Sequence, residues 1–259
     1  MSSTEPMIVG AHVPSEDPLE AASILKTGCI QMFVGDPQSW KKPPPREDAE
    51  KLRASDVEIY VHAPYLINVA SPNNRVRIPS RKILAGALES AEAIGAAAVI
   101  VHAGHAEDGI DRGFRRWRKV FEELESPVPI FIENTAGGTN AMGRNLDVLA
   151  ELWGHLEDFD VGFCFDTCHA HAAGEDLGDA VQRARRATGR IDLMHANSSR
   201  DAPGTGADRH ANFSDGTMDP DQIAAMVADS GAPAVICETP WPSIAKDVAF
   251  LRERLGHIA

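Results

Sequence analysis

The run Pro79-Ser-Arg-Lys-Ile-Leu-Ala-Gly-Ala-Leu-Glu-Ser-Ala-Glu-Ala-Ile-Gly95, continued by Ala96-Ala-Ala-Val-Ile-Val-His-Ala103, contains the two periodicities that decide the fold. Its first part spaces apolar residues at three and four, opens on proline and stops at glycine, as an amphipathic helix does. Its second part is a short, continuous apolar run, as a strand buried on both faces requires. The same unit recurs along the chain. Strand-like runs fall at Met7–Val13, Cys29–Val34, Val57–Ala63, Ala97–Ala103, Val128–Thr135, Val161–Thr167, Ile191–Asn197 and Ala234–Thr239. Asp219-Pro-Asp-Gln-Ile-Ala-Ala-Met-Val-Ala-Asp-Ser-Gly231 repeats the helical scheme, with proline early and glycine closing. Eight strands alternating with helices in 259 residues predict an α/β protein, a (β/α)8 TIM barrel forming a single domain over 1–259. A doubly wound open sheet is the competing fold, but no glycine-rich phosphate loop follows any strand. Lys41-Lys-Pro-Pro-Pro45 reads as a stiff loop within the second βα unit.

Composition narrows the class. At 43% hydrophobic residues the chain can bury a substantial core. No apolar run approaches the length of a membrane span, and MSSTEPM lacks the apolar segment of a signal peptide, so a cytoplasmic location is expected. Cys29, Cys164, Cys168 and Cys237 lie on or just after strand-like runs without CxxC spacing, and read as buried reduced thiols. A net charge of −13 argues against a protein that grips nucleic acid by bulk electrostatics, but not against one with a local anion site built on divalent ions.

The chemistry lies at the strand ends. His62, His102, Glu133, Asp166, His195 and Glu238 each sit at the C-terminal end of a strand-like run, and Asp166/His169 and Asp208/His210 add pairs on loops at the same end. In a parallel barrel all these ends share one face, so side chains far apart in sequence converge. Glu133 after Ile130-Phe-Ile and Glu238 after Val235-Ile-Cys are costly to bury unless paired or metal-bound. Nine residues of metal-ligand type are too many for one zinc ion and suit two or three, and hydrolysis of a phosphate ester is the leading chemistry for such a cluster. Imidazole with carboxylate favours zinc, with manganese or iron as alternatives. His12 reads as orienting a ligand rather than ligating; His105 and His171 as orienting or structural; His155 and His257 as solvated. No Ser/His/Asp or Cys/His set stands apart from the cluster, so covalent catalysis is not expected.

Gly10-Ala-His-Val13, His62-Ala-Pro-Tyr-Leu-Ile-Asn68, Ile132-Glu-Asn-Thr-Ala-Gly137, Phe165-Asp-Thr-Cys-His-Ala170 and Asp208-Arg-His210 together resemble, in order and over nearly the whole chain, the endonuclease IV family. The chain most resembles that family's actinobacterial members. The family comprises zinc-dependent apurinic/apyrimidinic endonucleases of base-excision repair on a (β/α)8 barrel. The resemblance implies three zinc ions: the first on His62, His102 and Glu133; the second on Glu133, Asp166, His195 and Glu238; the third on His169, Asp208 and His210. It implies that a metal-bridging hydroxide, oriented by Glu133 and Glu238, attacks the phosphodiester 5′ to an abasic nucleotide in duplex DNA. The products would be a 3′-hydroxyl and a 5′-deoxyribose phosphate. Blocked 3′ ends are further partners the family implies. Tyr65 and Leu66 match the family's wedge into the gap left by the flipped-out nucleotide. Arg75, Arg77 and Arg81, on the following loop, are candidates for phosphate contact. Three positions depart from the family: Gln38 where an arginine probing DNA is common, Ser198 where an acid is common, and Ser214 where a glycine is usual.

Two other readings stand beside this one. A sugar isomerase or epimerase on a related barrel would use Glu133, Asp166, His195 and Glu238 around one divalent ion, but would not need the other five ligand-type residues. A lesion-binding protein without turnover is motivated by the three departures. No exposed apolar helix calls for a partner, so a monomer is expected.

Overall fold

The apolar runs become short strands whose residues alternate between the barrel interior and the surrounding helices, as the two-residue period of a strand dictates. The computed structural model describes residues 6–256, so the expectation for His257 lies outside the described residues. The strands are β1 (Ile8–His12), β2 (Cys29–Met32), β3 (Glu58–His62), β4 (Ala98–His102), β5 (Ile130–Glu133), β6 (Gly162–Asp166), β7 (Leu193–Ala196), the two-residue β8 (Ser198–Ser199) and β9 (His210–Ala211), and β10 (Ala234–Cys237). Eight of them close a parallel barrel in the order β1-β2-β3-β4-β5-β6-β7-β10, and β8 pairs antiparallel with β9 as a separate hairpin. The eight expected strands are the eight of the barrel; the hairpin has no counterpart in the sequence pattern, because two-residue strands carry no periodicity to read. β1 and β2 approach so closely that a Cβ on Gly10 would lie 2.2 Å from the Cys29 carbonyl oxygen.

Tyr60, Ile100, Cys164, Leu193 and Ile236 fill the barrel interior. Two residues further along the same strands, or just past their ends, stand His62, His102, Asp166, His195 and Glu238. The alternation that buries the plug therefore aims the next inward position at the C-terminal mouth. Register places His102 beside Glu133 and Asp166 beside His195 on neighbouring strands.

The helices are α1 (Pro18–Leu25), α2 (Ala49–Arg53), α3 (Asn74–Ile94), α4 (Ile110–Glu123), α5 (Leu146–Leu156), α6 (Thr167–Ala173), α7 (Ala180–Thr188), α8 (Pro220–Ser230) and α9 (Ile244–Arg254). Their apolar faces pack on the outward residues of the strands, with Trp117 and Phe114 of α4 fully buried. α8 is capped as its sequence predicts, the Asp219 side chain accepting from Asp221 N–H and Gly231 closing at φ 69°.

Four expectations are corrected. α3 begins at Asn74, not Pro79, because the Asn73 side chain accepts from Arg75 N–H and caps an earlier turn; Pro79 sits inside the helix. Arg75, Arg77 and Arg81 consequently lie on that helix rather than on a loop. Thr167-Cys-His169 is helical rather than looped, since Asp166 accepts from His169 N–H at 2.6 Å and caps α6. His155 is half-buried, its ring 5.1 Å from that of Phe114. Among the described residues no helix is long and apolar enough to cross a membrane.

Candidate metal centre

Glu133, at the end of β5 and wholly buried, is the hub of the mouth. Its Oε2 lies 3.2 Å from His62 Nε2 and 3.4 Å from His102 Nε2; its Oε1 lies 3.1 Å from both His195 Nδ1 and His169 Nδ1. Asp166 and Glu238 close around the same space, Glu238 Oε2 standing 3.2 Å from His195 Nδ1. The remaining two ligand-type residues come from the β8–β9 hairpin. Asp208 Oδ1 lies 3.2 Å from His169 Nε2 and 3.3 Å from His210 Nε2, while Arg209 between them turns outward to pair with Asp201. All nine residues nominated from the sequence are thus gathered at one mouth.

Their clustering into donor sets is specific. His62, His102 and Glu133 form one set with ligand atoms within 4.8 Å of one another, and Glu133, Asp166, His195 and Glu238 form another. His169 and Asp208 group with His102, whereas His210 groups with Asp166 and the Cys168 thiol. Asp208, within reach of both His169 and His210, joins these last two groups.

The hydrogen bonds tell what the centre is built to hold. His62 donates Nδ1–H to the Ala63 carbonyl at 2.7 Å, and His169 donates Nδ1–H to the Asn134 carbonyl at 2.8 Å. In each ring the Nε2 lone pair then faces a carboxylate oxygen, an arrangement that repels unless a cation lies between. His169 Nε2 and His210 Nε2 are buried without a hydrogen-bond partner. Buried polar atoms without partners are costly and call for an explanation. A metal ion supplies one, and the nitrogen and oxygen donors fit a divalent ion of the zinc type.

Without metal, protons must serve. Burial works against charge on His169, but Asp166 and Asp208 overcome it and hold the ring well above the usual histidine value. Burial likewise opposes charge on His195 and His210, yet the carboxylates around them raise both to about 9. For His102 burial prevails over Glu133 and the ring falls to about 4. Burial would push Glu133 up, but His195 and His102 hold it well below the usual carboxylate range. Asp208 is held low in the same way, by His169 against the cost of burial. Burial raises Asp166.

Sequence reading missed the residues that fix this geometry. Gln31, buried on β2, accepts from His195 Nε2 at 2.8 Å and donates to Glu238 Oε1 at 2.5 Å and to His12 Nδ1 at 3.0 Å. Asn197 donates to Asp166 Oδ2 at 2.6 Å and accepts from Glu238 N–H at 2.8 Å. Asn134 accepts from Asp166 N–H at 2.7 Å. The available signal was a lone amide in each apolar run, such as Ile30-Gln31-Met32. His171 donates to the Asp201 carbonyl at 2.9 Å, and His105 pairs with Glu107. All four cysteines are free and buried; burial pushes the Cys168 thiol up to about 12.

Above the centre the mouth opens into two adjoining hollows of about 800 Å³ each, with Tyr65 between them. Leu66 and Trp40 line one, Phe33 and Trp241 the other. Tyr65 is 54% exposed. Gln38 is exposed on the same loop as Trp40 but lines neither hollow, and Arg75 is exposed on the first turn of α3. Arg77 turns away from the mouth into a cleft between α3 and α4.

A family model described as a xylose isomerase-like TIM barrel matches residues 19–254. The probable endonuclease 4 of Mycobacterium bovis (strain BCG / Pasteur 1173P2) is 57% identical over 252 residues, covering 96% of this chain and 100% of the relative. That of Mycobacterium leprae (strain Br4923) is 52% identical over 250 residues, covering 96% and 99%. The crystal structure of endonuclease IV from Thermus thermophilus superposes with a TM-score of 0.83 at 27% identity, covering 97% of this chain and 100% of that one. A D-tagatose 3-epimerase-like protein superposes with a TM-score of 0.77 at 21% identity over 97% and 98%, a likeness of fold alone.

Proposed function

The chain belongs to the endonuclease IV family, and from that premise we propose that it is a DNA-repair endonuclease hydrolysing the phosphodiester 5′ to an abasic site in duplex DNA. The products are a 3′-hydroxyl and a 5′-deoxyribose phosphate. One observation carries the reading: a single buried carboxylate, Glu133, touches four imidazoles, with three further carboxylates closing the same space. His62, His102 and Glu133 would hold one zinc ion; Glu133, Asp166, His195 and Glu238 a second; His169, Asp208 and His210 a third. Manganese is the second choice of metal. When bound, such ions make hydroxide available near neutral pH and offset the negative charge that builds on a phosphate under attack.

The chain's own residues do the positioning. Glu133 and Glu238, the carboxylates on either side of His195, orient the attacking water and receive its hydrogen bonds. Gln31 and Asn197 keep Glu238 from turning away, and Asn197 also fixes Asp166. Tyr65 and Leu66, which line a hollow above the centre, would fill the space left by a missing base, and extruding a nucleotide costs least where the base is already gone. Phe33, Tyr65 and Trp241 supply walls against which a sugar can exclude water.

The test is an end-labelled duplex carrying one tetrahydrofuran abasic analogue, which cannot undergo β-elimination. Metal-replete protein should cut it on the 5′ side of the lesion and leave a 3′-hydroxyl, and thorough metal removal should abolish the cut. Tight binding without cutting would favour a lesion binder instead. A one-metal isomerase would need only Glu133, Asp166, His195 and Glu238, and the five further ligand-type residues at the mouth argue against it.

A further inference from the structure

The described surface carries a concentration of positive charge that the metal centre does not use. Between α3 and α4 runs an open cleft of about 650 Å³ lined by Arg77, Arg81, Arg112, Arg115, Arg116 and Lys119, with Asn74 and Ile78. Two acids pair with these six cations among the described residues: Asp108 with Arg112 and Arg116, and Glu123 with Arg81 and Lys119. The Arg115 side chain makes no ion pair or hydrogen bond among the described residues. The Arg77 guanidinium is held by neutral acceptors, the carbonyls of Ser71 and Pro72 and the side chain of Asn74, so its charge is left uncompensated. The Arg81 Nε–H is buried without a partner. In a chain of net charge −13, like charges gathered this closely repel and stay together only at a cost. That repulsion is felt at Arg77, which burial and then Arg116 and Arg81 hold below the usual arginine value.

The cleft adjoins the mouth across the first turn of α3. Asn73 and Val76 line the hollow that holds Tyr65 and Leu66, and Asn74 and Arg77, their neighbours on the first turn of α3, line the cleft. Arg116 ties α4 to the segment that leads into α3 by donating to the Ala70 carbonyl at 2.8 Å. From Asn74 to Arg81, and from Arg112 to Lys119, the helices rise about 10 Å. This matches about three steps of roughly 3.4 Å along one DNA strand.

We propose that the α3–α4 cleft is a second phosphate-binding track, which holds the backbone of duplex DNA flanking the lesion as it leaves the mouth. It rests on the endonuclease reading for its partner, and adds to it a surface outside the barrel mouth. The track is independent of sequence and of damage, since arginine and lysine contacts to phosphate position a duplex without reading bases. It lets an acidic protein hold DNA by one local stripe.

The test uses the metal-loaded full chain and the double variant Arg115→Glu/Lys119→Glu, both exposed positions on α4. Arg185→Glu/Arg186→Glu, at the far end of α7, changes net charge equally and serves as control. Binding is measured against salt with abasic-analogue duplexes extended on one flank or on the other. The cleft variant should bind about tenfold more weakly, with its log–log salt slope shallower by about 1.8 for two lost phosphate contacts. The loss should appear with one flank extended and not with the other, and the control should match wild type. Wild-type affinity and slope in the cleft variant, with incision intact, would overturn the track and keep the endonuclease, leaving the cleft to an acidic protein surface. An equal loss in the control would also overturn it, as general repulsion. If wild type fails to incise while the cleft variant alone loses duplex binding, the endonuclease reading falls and the track stands.

Discussion

Nε2 of His195 lies 2.8 Å from Oε1 of Gln31, and the amide's other end donates to Glu238. One buried amide thereby fixes the tautomer of an imidazole and the rotamer of a carboxylate. When neutral, His195 carries its proton on Nε2, which leaves the Nδ1 lone pair facing Glu133 and Glu238. Gln31→Ala removes both restraints. Apparent zinc affinity, measured by competition with a chromogenic chelator, should fall about 10–100-fold, as for other partners of metal ligands. Incision at saturating zinc should recover in part. Unchanged zinc affinity would show that β2 contributes nothing to the centre.

Glu133→Ala takes away the carboxylate that four imidazoles share. Incision of abasic duplex should drop below detection, and the metal content of purified protein should fall, while far-ultraviolet circular dichroism is preserved. Full activity in this variant would sink the assignment of the centre.

The pH dependence of the metal-free protein follows from three raised histidines. An unperturbed histidine titrates at about 6.5, whereas the surrounding carboxylates raise His195 and His210 to about 9 and His169 well above its ordinary value. A group whose folded value is raised contributes stability that is complete below its unfolded value and is lost as pH rises through the folded one. Metal-stripped protein should therefore lose thermal stability between pH 6.5 and about 9, and metal-loaded protein should not show that loss. The same protons must leave when metal binds, so zinc uptake at about pH 7.5 should release protons and its affinity should weaken as pH falls. Calorimetry in buffers of different ionisation enthalpy reads the number released; none released would contradict the protonation described here.

At the mouth, Tyr65 is exposed between two hollows while Gln38 lines neither. Tyr65→Ala should weaken binding to abasic duplex, seen as a raised KM for incision, without changing metal content. Gln38→Arg adds a cation on an exposed loop and should tighten binding to lesion duplex in fluorescence anisotropy. Equal affinity would place the contact elsewhere, with Trp40 the next residue to replace.

Trp117 couples α4 to the site: its buried indole donates Nε1–H to the Ala103 carbonyl at 2.7 Å, one residue past His102. Trp117→Ala should destabilise the fold by about 3–5 kcal/mol in denaturant unfolding, since it leaves a large cavity and an unpaired carbonyl. A loss under about 1 kcal/mol would mean that neighbouring side chains collapse into the space.

The sequence by itself determined the barrel and the membership of the centre. Strand and helix have different periods, parallel strands end on one face, and a histidine or carboxylate two positions beyond an interior residue must point into the mouth. His62 after Tyr60 and Asp166 after Cys164 were legible on those grounds. Only the tertiary structure decided how the residues are shared and held. His169 is brought to Asp208 by a helix that Asp166 caps, and His210 arrives on a hairpin too short to leave a pattern. Gln31 acquires a role only because β2 faces β7 and β10 across the interior, where its amide meets His195 and Glu238. The basic cleft is likewise a product of packing. Arg77 and Arg81 belong to one helix and Arg112, Arg115, Arg116 and Lys119 to another, separated along the chain by a whole strand. Period and composition fix which residues face inward. Contacts between residues distant in sequence depend on how the elements pack, which no local pattern encodes.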